Sequence, residues 1–439
     1  MIDRIILFSI KNKAFIGLLT LALIIGGIYS MTRVPLDAVP DITNNQVQVI
    51  TTAPNLGTED IEQFVTYQVE LAMANLPGVT EIRSISRFGL SVVTIVFEDK
   101  LGTYLPRQLV NEALNEVKDE IPEGFGEPFM SPISTGLGEI YQYTLEVDPA
   151  YDSVYSDMDL RTIQDWIVKR QMAMLPGVVE VNTFGGHKKQ YEVAINPDKL
   201  ASIGITVADV FEALEVNNQN TGGAYIEKNH QANFIRGEGL ARSIRDIENI
   251  VVENQQGQPV FIRDIAEVKF GSSMRYGAFT KDGKGESVGG IVMMLKGENS
   301  NDVIRRVKER IDLIQKSLPE GVRIVSFLDR SDLIKSTTST VVGNLTIGAI
   351  IVVFVLVLIL GNLRGGLIVA SAIPLALLFA FIMMHLLGVS ANLMSLGAID
   401  FGILVDGAII IVESMLFYLH RDFCIGATLT RQQKNDIAY

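Results

Sequence analysis

The chain has 439 residues, 48% of them hydrophobic, with a positive mean hydropathy and a formal net charge of −13. Its length allows about two to four domains. The single cysteine, Cys424, excludes a disulfide framework, no Walker-type glycine loop argues for an ATP-driven machine, and with this acidic balance no nucleic-acid partner is expected.

The first element is an apolar run, Ala14–Met31, free of Asp, Glu, Lys and Arg. It approaches the length of about 20 apolar residues that crosses a bilayer. Arg4, Lys11 and Lys13 precede it, but it ends Tyr29-Ser30-Met31-Thr32-Arg33 without a small-x-small cleavage site, so a retained anchor is expected rather than a cleaved signal peptide. Everything from Thr32 to Lys335 is polar and acidic, and it contains an internal echo. Met73-Ala74-Asn75-Leu76-Pro77-Gly78-Val79 returns as Met172-Ala173-Met174-Leu175-Pro176-Gly177-Val178. Each copy closes a helix and opens a strand, with the Pro-Gly pair supplying the stop. Thr58, followed by Glu59 and Asp60, is the expected N-cap of the first helix, and Asp159 that of the second, Leu160–Ala173. Strands are expected over Val47–Thr52, Ser91–Phe97, Tyr191–Ile195, Val260–Ile262 and Arg323–Phe327. A second echo, Ile121-Pro122-Glu123-Gly124 and Leu318-Pro319-Glu320-Gly321, ends a further helix in each unit. Strand–helix–strand arrangements given twice predict two ferredoxin-like split βαβ modules. The stretch 184–274, with its own helix at Val207–Glu215, interrupts the second as an inserted subdomain.

Apolar sequence then resumes. Ser336–Leu363 and Gly365–Ile399 carry no Asp, Glu, Lys or Arg, and the latter is broken near Gly388–Asn392. Val341–Leu360, Leu367–Leu387 and Leu393–Leu419 are read as three further spans, with Pro374 kinking the second of them. Basic residues at the N-terminus, at Arg364 and after Leu419 place those segments in the cytoplasm and Thr32–Lys335 outside.

The last span holds Asp400, Asp406 and Glu413 and no basic residue. One charged side chain near the bilayer centre costs roughly 2.5–3.5 kcal/mol even on the mildest scale. Three in one helix indicate an ion path or a proton relay, against the plainer reading of a structural lock to basic residues on another helix. Asp406 and Glu413, seven residues apart, share a face at about 10 Å, while Asp400 lies roughly 120° around. Gly397, Gly402 and Gly407 allow neighbouring backbones to approach closely. Met383, Met384, His385 and Met394 offer thioethers and an imidazole for a soft-metal path, although Met is also a common apolar filler. His187 and His230 fall on the expected surface of the insert.

These residues resemble the resistance-nodulation-division superfamily of efflux pumps, in its heavy-metal branch. The resemblance runs along the whole chain: Val34-Pro35-Leu36-Asp37-Ala38-Val39-Pro40-Asp41 after the first helix, Asp159-Leu160-Arg161 with Gln164-Asp165-Trp166, and Asn196-Pro197 through Gly204-Ile205 and Asn217 to Gly222-Gly223. Asn392-Leu393-Met394-Ser395-Leu396-Gly397 is similar to heavy-metal members in general. Asp400-Phe401-Gly402, Val405-Asp406-Gly407 and Glu413 resemble the cobalt–zinc–cadmium type. The copper/silver type has an apolar residue in place of the first Asp, and the multidrug branch has two adjacent acids where Asp406 is followed here by Gly407. Ser414 departs from the Asn usual after the glutamate.

The resemblance implies a multi-pass α-helical membrane protein with a large periplasmic α+β region. In it, 1–31 is the first membrane helix with its cytoplasmic N-terminus, 32–132 the first porter subdomain, and 133–183 with 275–335 the second. The docking insert is 184–274, the membrane helices two to four lie in 336–419, and 420–439 is a cytoplasmic tail. It implies a secondary active transporter rather than an enzyme, in the bacterial inner membrane, exchanging protons for Zn²⁺, Co²⁺ or Cd²⁺ without a resident cofactor. Asp406 would transfer protons, with Asp400 and Glu413 along the path. The expected partners are lipid, a periplasmic adaptor (membrane fusion) protein, an outer-membrane channel and two further copies in a homotrimer. Such pumps have twelve spans, so four spans are expected to form an N-terminal fragment that is inactive alone. The alternatives are a non-transporting assembly or docking remnant, or a pump for Cu(I)/Ag(I) or organic compounds.

Overall fold

The computed structural model describes residues 8–9, 11–34, 37, 41–255, 257–275, 277–361, 363–392, 406–415 and 417. Helix α1, Lys13–Arg33, contains the whole first apolar run. Beyond it the chain builds a four-stranded sheet from β1 (Gln46–Thr52), β2 (Val79–Arg87), β3 (Leu90–Phe97) and β4 (Pro128–Met130), in the order β2-β3-β1-β4 with every pair antiparallel. Alternate residues of β1, Val47, Val49 and Thr51, are buried, as a half-covered strand requires. The cover is a helical segment made of α2 (Thr58–Ile61), a π-helical turn at Glu62–Thr66 and α3 (Tyr67–Ala74), joined by α4 (Tyr104–Val117). Ile61, Val65, Val69 and Met73 are all fully buried. A spacing of four drifts around an α-helix of 3.6 residues per turn, and a wider π turn keeps such a stripe aimed at the sheet.

The second sheet repeats this plan. Strands β5 (Glu139–Val147), β6 (Val178–Phe184), β13 (Val288–Met294) and β14 (Val322–Asp329) take the order β14-β5-β13-β6, again wholly antiparallel. Between β5 and β6 run α5 (Asp157–Ile163), a π turn at Gln164–Val168 and α6 (Lys169–Met172); α11 (Ser300–Gln315) joins β13 to β14. Strand for strand, the orders are the same. The sequence echo is also a structural one: Met73 and Met172 are both fully buried, and Gly78 and Gly177 turn at φ +79 and +86. A Cβ on either glycine would collide with the element opposite, 2.4 Å from Leu101 in one case and 2.7 Å from Val303 in the other. Only glycine fits both conditions.

Between β6 and β13, strand β7 (Lys189–Ile195) pairs antiparallel with β12 (Ala266–Ser272). They enclose α7 (Pro197–Ile203), α8 (Val207–Val216), the hairpin β8–β9 (Thr221–Lys228 and Gln231–Gly237), α9 (Ile244–Glu248), the pair β10–β11 (Val251–Gln255 and Gln258–Phe261) and α10 (Ile262–Ile265). This stretch has its own core, which includes Leu200, Val210, Ile247, Ile262 and Ile265.

Three local expectations are corrected. Thr58 is the first residue of its helix and Gly57 holds the cap position. Ser156, not Asp159, caps α5: its side chain accepts from the Asp159 N–H while Asp159 accepts from the Ser156 N–H, a reciprocal box that starts the helix at Asp157. Strand β11 stops at Phe261, because Ile262 opens a helix that Asp264 caps from within through the Phe261 N–H.

Among the described residues, three helices are long and apolar enough to cross a membrane: Lys13–Arg33, Arg330–Val355 and Gly365–Leu387. The second belongs to α12, Arg330–Leu360, whose 31 residues extend about 46 Å, against a hydrocarbon core of roughly 30 Å. It begins immediately after β14, upstream of Val341, and is longer than such a core requires. The next helix is broken into α13 (Leu363–Ala370) and α14 (Ala372–Leu387). The break falls at Ser371, upstream of Pro374, because proline lacks the N–H for the Ala370 carbonyl and its ring crowds that oxygen. Helix α1 lies against α14 at Gly27, where a Cβ would sit 2.5 Å from the Leu378 Cβ. The Tyr29 and His385 rings meet edge to face at 6.2 Å.

Candidate functional site

Of the three acids, Asp406 and Glu413 lie in a helical stretch, residues 406–415. Ala408, Ile409 and Val412 pack toward Val369 and Ile373, in a cluster joined by Val352 of α12 and Leu377 of α14. On a helix these apolar residues are centred roughly 100° from the direction shared by Asp406 and Glu413. Both acids are exposed, so they form a polar flank beside the packed face. Gly407 is described too, and a Cβ there would meet no atom within 4 Å. Asp400, Gly397, Gly402 and Met394 lie outside the described residues.

Met383 and Met384 are neighbours on α14, the first exposed and the second half-buried. Adjacent helical residues point about 100° apart, so the two sulfurs do not converge. Among the described residues, no group of three or more His, Cys, Asp or Glu is placed to hold a metal ion. His187 is engaged at both ring nitrogens: Nδ1 contacts Asp157 and Nε2 lies 2.9 Å from an Arg275 nitrogen. Arg275 in turn grips Glu286 with Nη2 at 2.9 and 3.0 Å. Burial works to raise the Glu286 carboxyl, but the Gly186 N–H and Arg275 outweigh it and hold it below the usual range. His230 is the second residue of the β8–β9 turn, where it and Asn229 have φ +61 and +55, as a two-residue hairpin turn of this kind demands.

A polar joint that the sequence reading missed lies where the soluble region meets the helices. Arg330, the first residue of α12, is 7% exposed. Its Nη2 donates to Asp37 Oδ1 at 2.8 Å, and its Nη1 donates to the Leu137 carbonyl. Asp37 Oδ2 accepts from Ser300 Oγ at 3.3 Å, and the Asp37 N–H donates to the Ala391 carbonyl at 3.0 Å. One residue earlier, Asp329 caps α12 through the Ser331 N–H and pairs with Lys308 of α11. Burial alone would raise the Asp329 carboxyl; Lys308 and Ser331 outweigh it and lower it. Burial likewise acts to lower Lys308, and Asp329 outweighs it and raises it.

Comparison with known proteins gives a family model, AcrB/AcrD/AcrF, that matches residues 5–423. The Cation efflux system protein CzcA of Alcaligenes sp. (strain CT14) is 48% identical over 99% of this chain and 41% of its own length. The Cobalt-zinc-cadmium resistance protein CzcA of Cupriavidus metallidurans gives the same figures. The Cation efflux system protein CusA of Escherichia coli (strain K12) is 38% identical, over 94% of this chain and 39% of its own. An X-ray crystal structure of a heavy metal efflux pump superposes with a TM-score of 0.86 at 35% identity, covering 96% of this chain and 42% of that one. The chain thus spans about two fifths of the length of these relatives.

Proposed function

The chain belongs to the AcrB/AcrD/AcrF family, and from that premise we propose that it is the N-terminal portion of an inner-membrane subunit exporting divalent heavy-metal cations in exchange for protons. The observation that carries this reading is the pair Asp406 and Glu413 on one unpacked flank of an otherwise apolar helix. Asp406 takes the role of proton carrier; Glu413, with Asp400 by its place in the sequence, continues the path. The 48% identity to a protein named for cobalt, zinc and cadmium resistance points the substrate to Zn²⁺, Co²⁺ or Cd²⁺, which accept oxygen and nitrogen ligands more readily than Cu(I) does.

The two sheets, with their shared strand order and helical crossovers, fit split βαβ modules. We assign them as the first pair of porter subdomains, residues 32–132 and 133–183 with 275–335, and assign 184–274 as the docking insert. Every residue of the hairpin β8–β9 is exposed, including Tyr225, Ile226, Phe234 and Ile235. A lone two-stranded hairpin with bare apolar side chains is marginal in water, which supports its burial against another copy in a homotrimer. A periplasmic adaptor and an outer-membrane channel complete the assembly. The test is Asp406→Asn in the complete pump, reconstituted in proteoliposomes under a proton gradient. Zn²⁺ movement is expected to fall to the protein-free background while trimer assembly is retained; a wild-type rate refutes the assignment.

A further inference from the structure

Asp37 and Arg330 are 293 residues apart in sequence, yet through them five chain segments meet at one point. These are the stretch after α1, the link into β5 at Leu137, the start of α11 at Ser300, the start of α12, and the turn after α14 at Ala391. Cohesion does not account for such a pair, since well-packed apolar side chains of similar volume often serve a buried site as well or better. The pair supplies direction. A guanidinium is a rigid planar fork, and here one prong holds the Asp37 carboxylate and the other the Leu137 carbonyl. The Arg330 Nε is buried with no hydrogen-bond partner among the described residues, so the side chain is placed for its two prongs rather than for full satisfaction.

The joint also stands on the route from the acids to the soluble region. Ala391 is in the same stretch of chain that runs on from α14 to Asp406. Arg330 opens the helix whose Val352 belongs to the cluster with Ala408, Ile409 and Val412. The neighbouring Asp329–Lys308 pair fixes the same turn of α12 to α11, which backs the second sheet. We propose that Asp37 and Arg330 are positioning residues of the transport cycle: they pass a displacement of the acid-bearing stretch to the second sheet. This inference rests on the reading of Asp406 as proton carrier.

The test uses the complete pump in lipid nanodiscs and reads amide hydrogen exchange in β14 and α11, corrected for intrinsic chemistry, at about pH 6 and about pH 8, where a proton relay is at work. Wild type is expected to change protection there between the two conditions. Arg330→Lys keeps the charge but has a single point donor in place of the fork. It is expected to abolish that change and to lower proton-driven Zn²⁺ flux by about tenfold, a usual size for coupling between sites, with thermal stability and trimer assembly retained. If the lysine variant misassembles, Asp37→Asn, which keeps the shape of the acceptor, is read in its place. The proposal is overturned if wild type shows no change, or if the variant that assembles keeps the wild-type change. If Asp406→Asn keeps the change while Arg330→Lys loses it, the joint transmits a signal from another proton site, and only the carrier assignment fails.

Discussion

A methyl group is the smallest probe of how closely α1 and α14 touch. A Cβ on Gly27 would lie 2.5 Å from the Leu378 Cβ and 3.1 Å from its Cα, neither of which can rotate away. Gly27→Ala is therefore expected to destabilise the helical region by about 1–3 kcal/mol, the usual cost of overpacking. Gly26 is the matched control: a Cβ there meets only the Ile382 Cδ1, at 3.5 Å. Gly26→Ala should be neutral or should gain up to about 1 kcal/mol from helix propensity. Unfolding both variants with denaturing detergent separates the two outcomes; equal effects would mean that α1 and α14 are not in this contact. The acids of the last span were legible as single residues because three charges in an apolar run carry a cost that composition alone exposes. Gly27 was not, because an apolar helix containing glycine reads the same whether or not a neighbour lies across it.

Helix starts illustrate the next scale. Ser156 and Asp159 satisfy two backbone N–H groups reciprocally, so Ser156→Ala should cost about 1 kcal/mol. Thr58 stands inside its helix with Gly57 at the cap and no side-chain cap bond, so Thr58→Ala should be neutral or gain a few tenths of a kcal/mol from helix propensity. Chemical denaturation of the two variants checks the pair, and equal losses would return the cap to Thr58. The run Val47–Thr52 was legible as a strand and lies within β1, where alternate residues are buried. Caps were read one to three residues late, because Thr and acidic residues are equally at home in the first helical turn. The span expected at Val341–Leu360 lies within the longer α12, whose first turns were not legible as helix: Arg330, Asp332 and Lys335 look like exterior loop by charge, but nothing in them breaks a helix.

For the molecule as a whole, ion pairs stand where the soluble region meets the helices, and one of them carries a pH signature. Asp329 is held below the ordinary carboxylate range. Its contribution to stability is complete above about pH 4, the unfolded value, and is lost as pH falls through the lowered folded value. Lys308 is raised, so its contribution is complete below about pH 10 and is lost as pH rises through the raised value. Lys308→Met should therefore reduce stability between those limits and leave the strongly acidic limb of the unfolding curve closer to wild type. Thermal unfolding across pH measures this, and a constant offset at every pH would contradict it. The joint of Asp37 with Arg330 had no local signature at all. A contact between residues so far apart in sequence exists only once the stretches after α1 and α14 have been brought to the link into β5 and to the starts of α11 and α12.

Because α12 runs unbroken from the edge of the second sheet into the apolar layer, the two regions share one helical phase. Each added residue in its middle would turn everything beyond it by about 100° and raise it by about 1.5 Å. Four residues would leave an angular error of roughly 40°, and seven would nearly restore the angle at the cost of about 10 Å in height. No small insertion satisfies both angle and height. The register between Arg330 at one end and Val352 at the other is therefore a fixed quantity of this fold, in the way a gear ratio is fixed by its teeth.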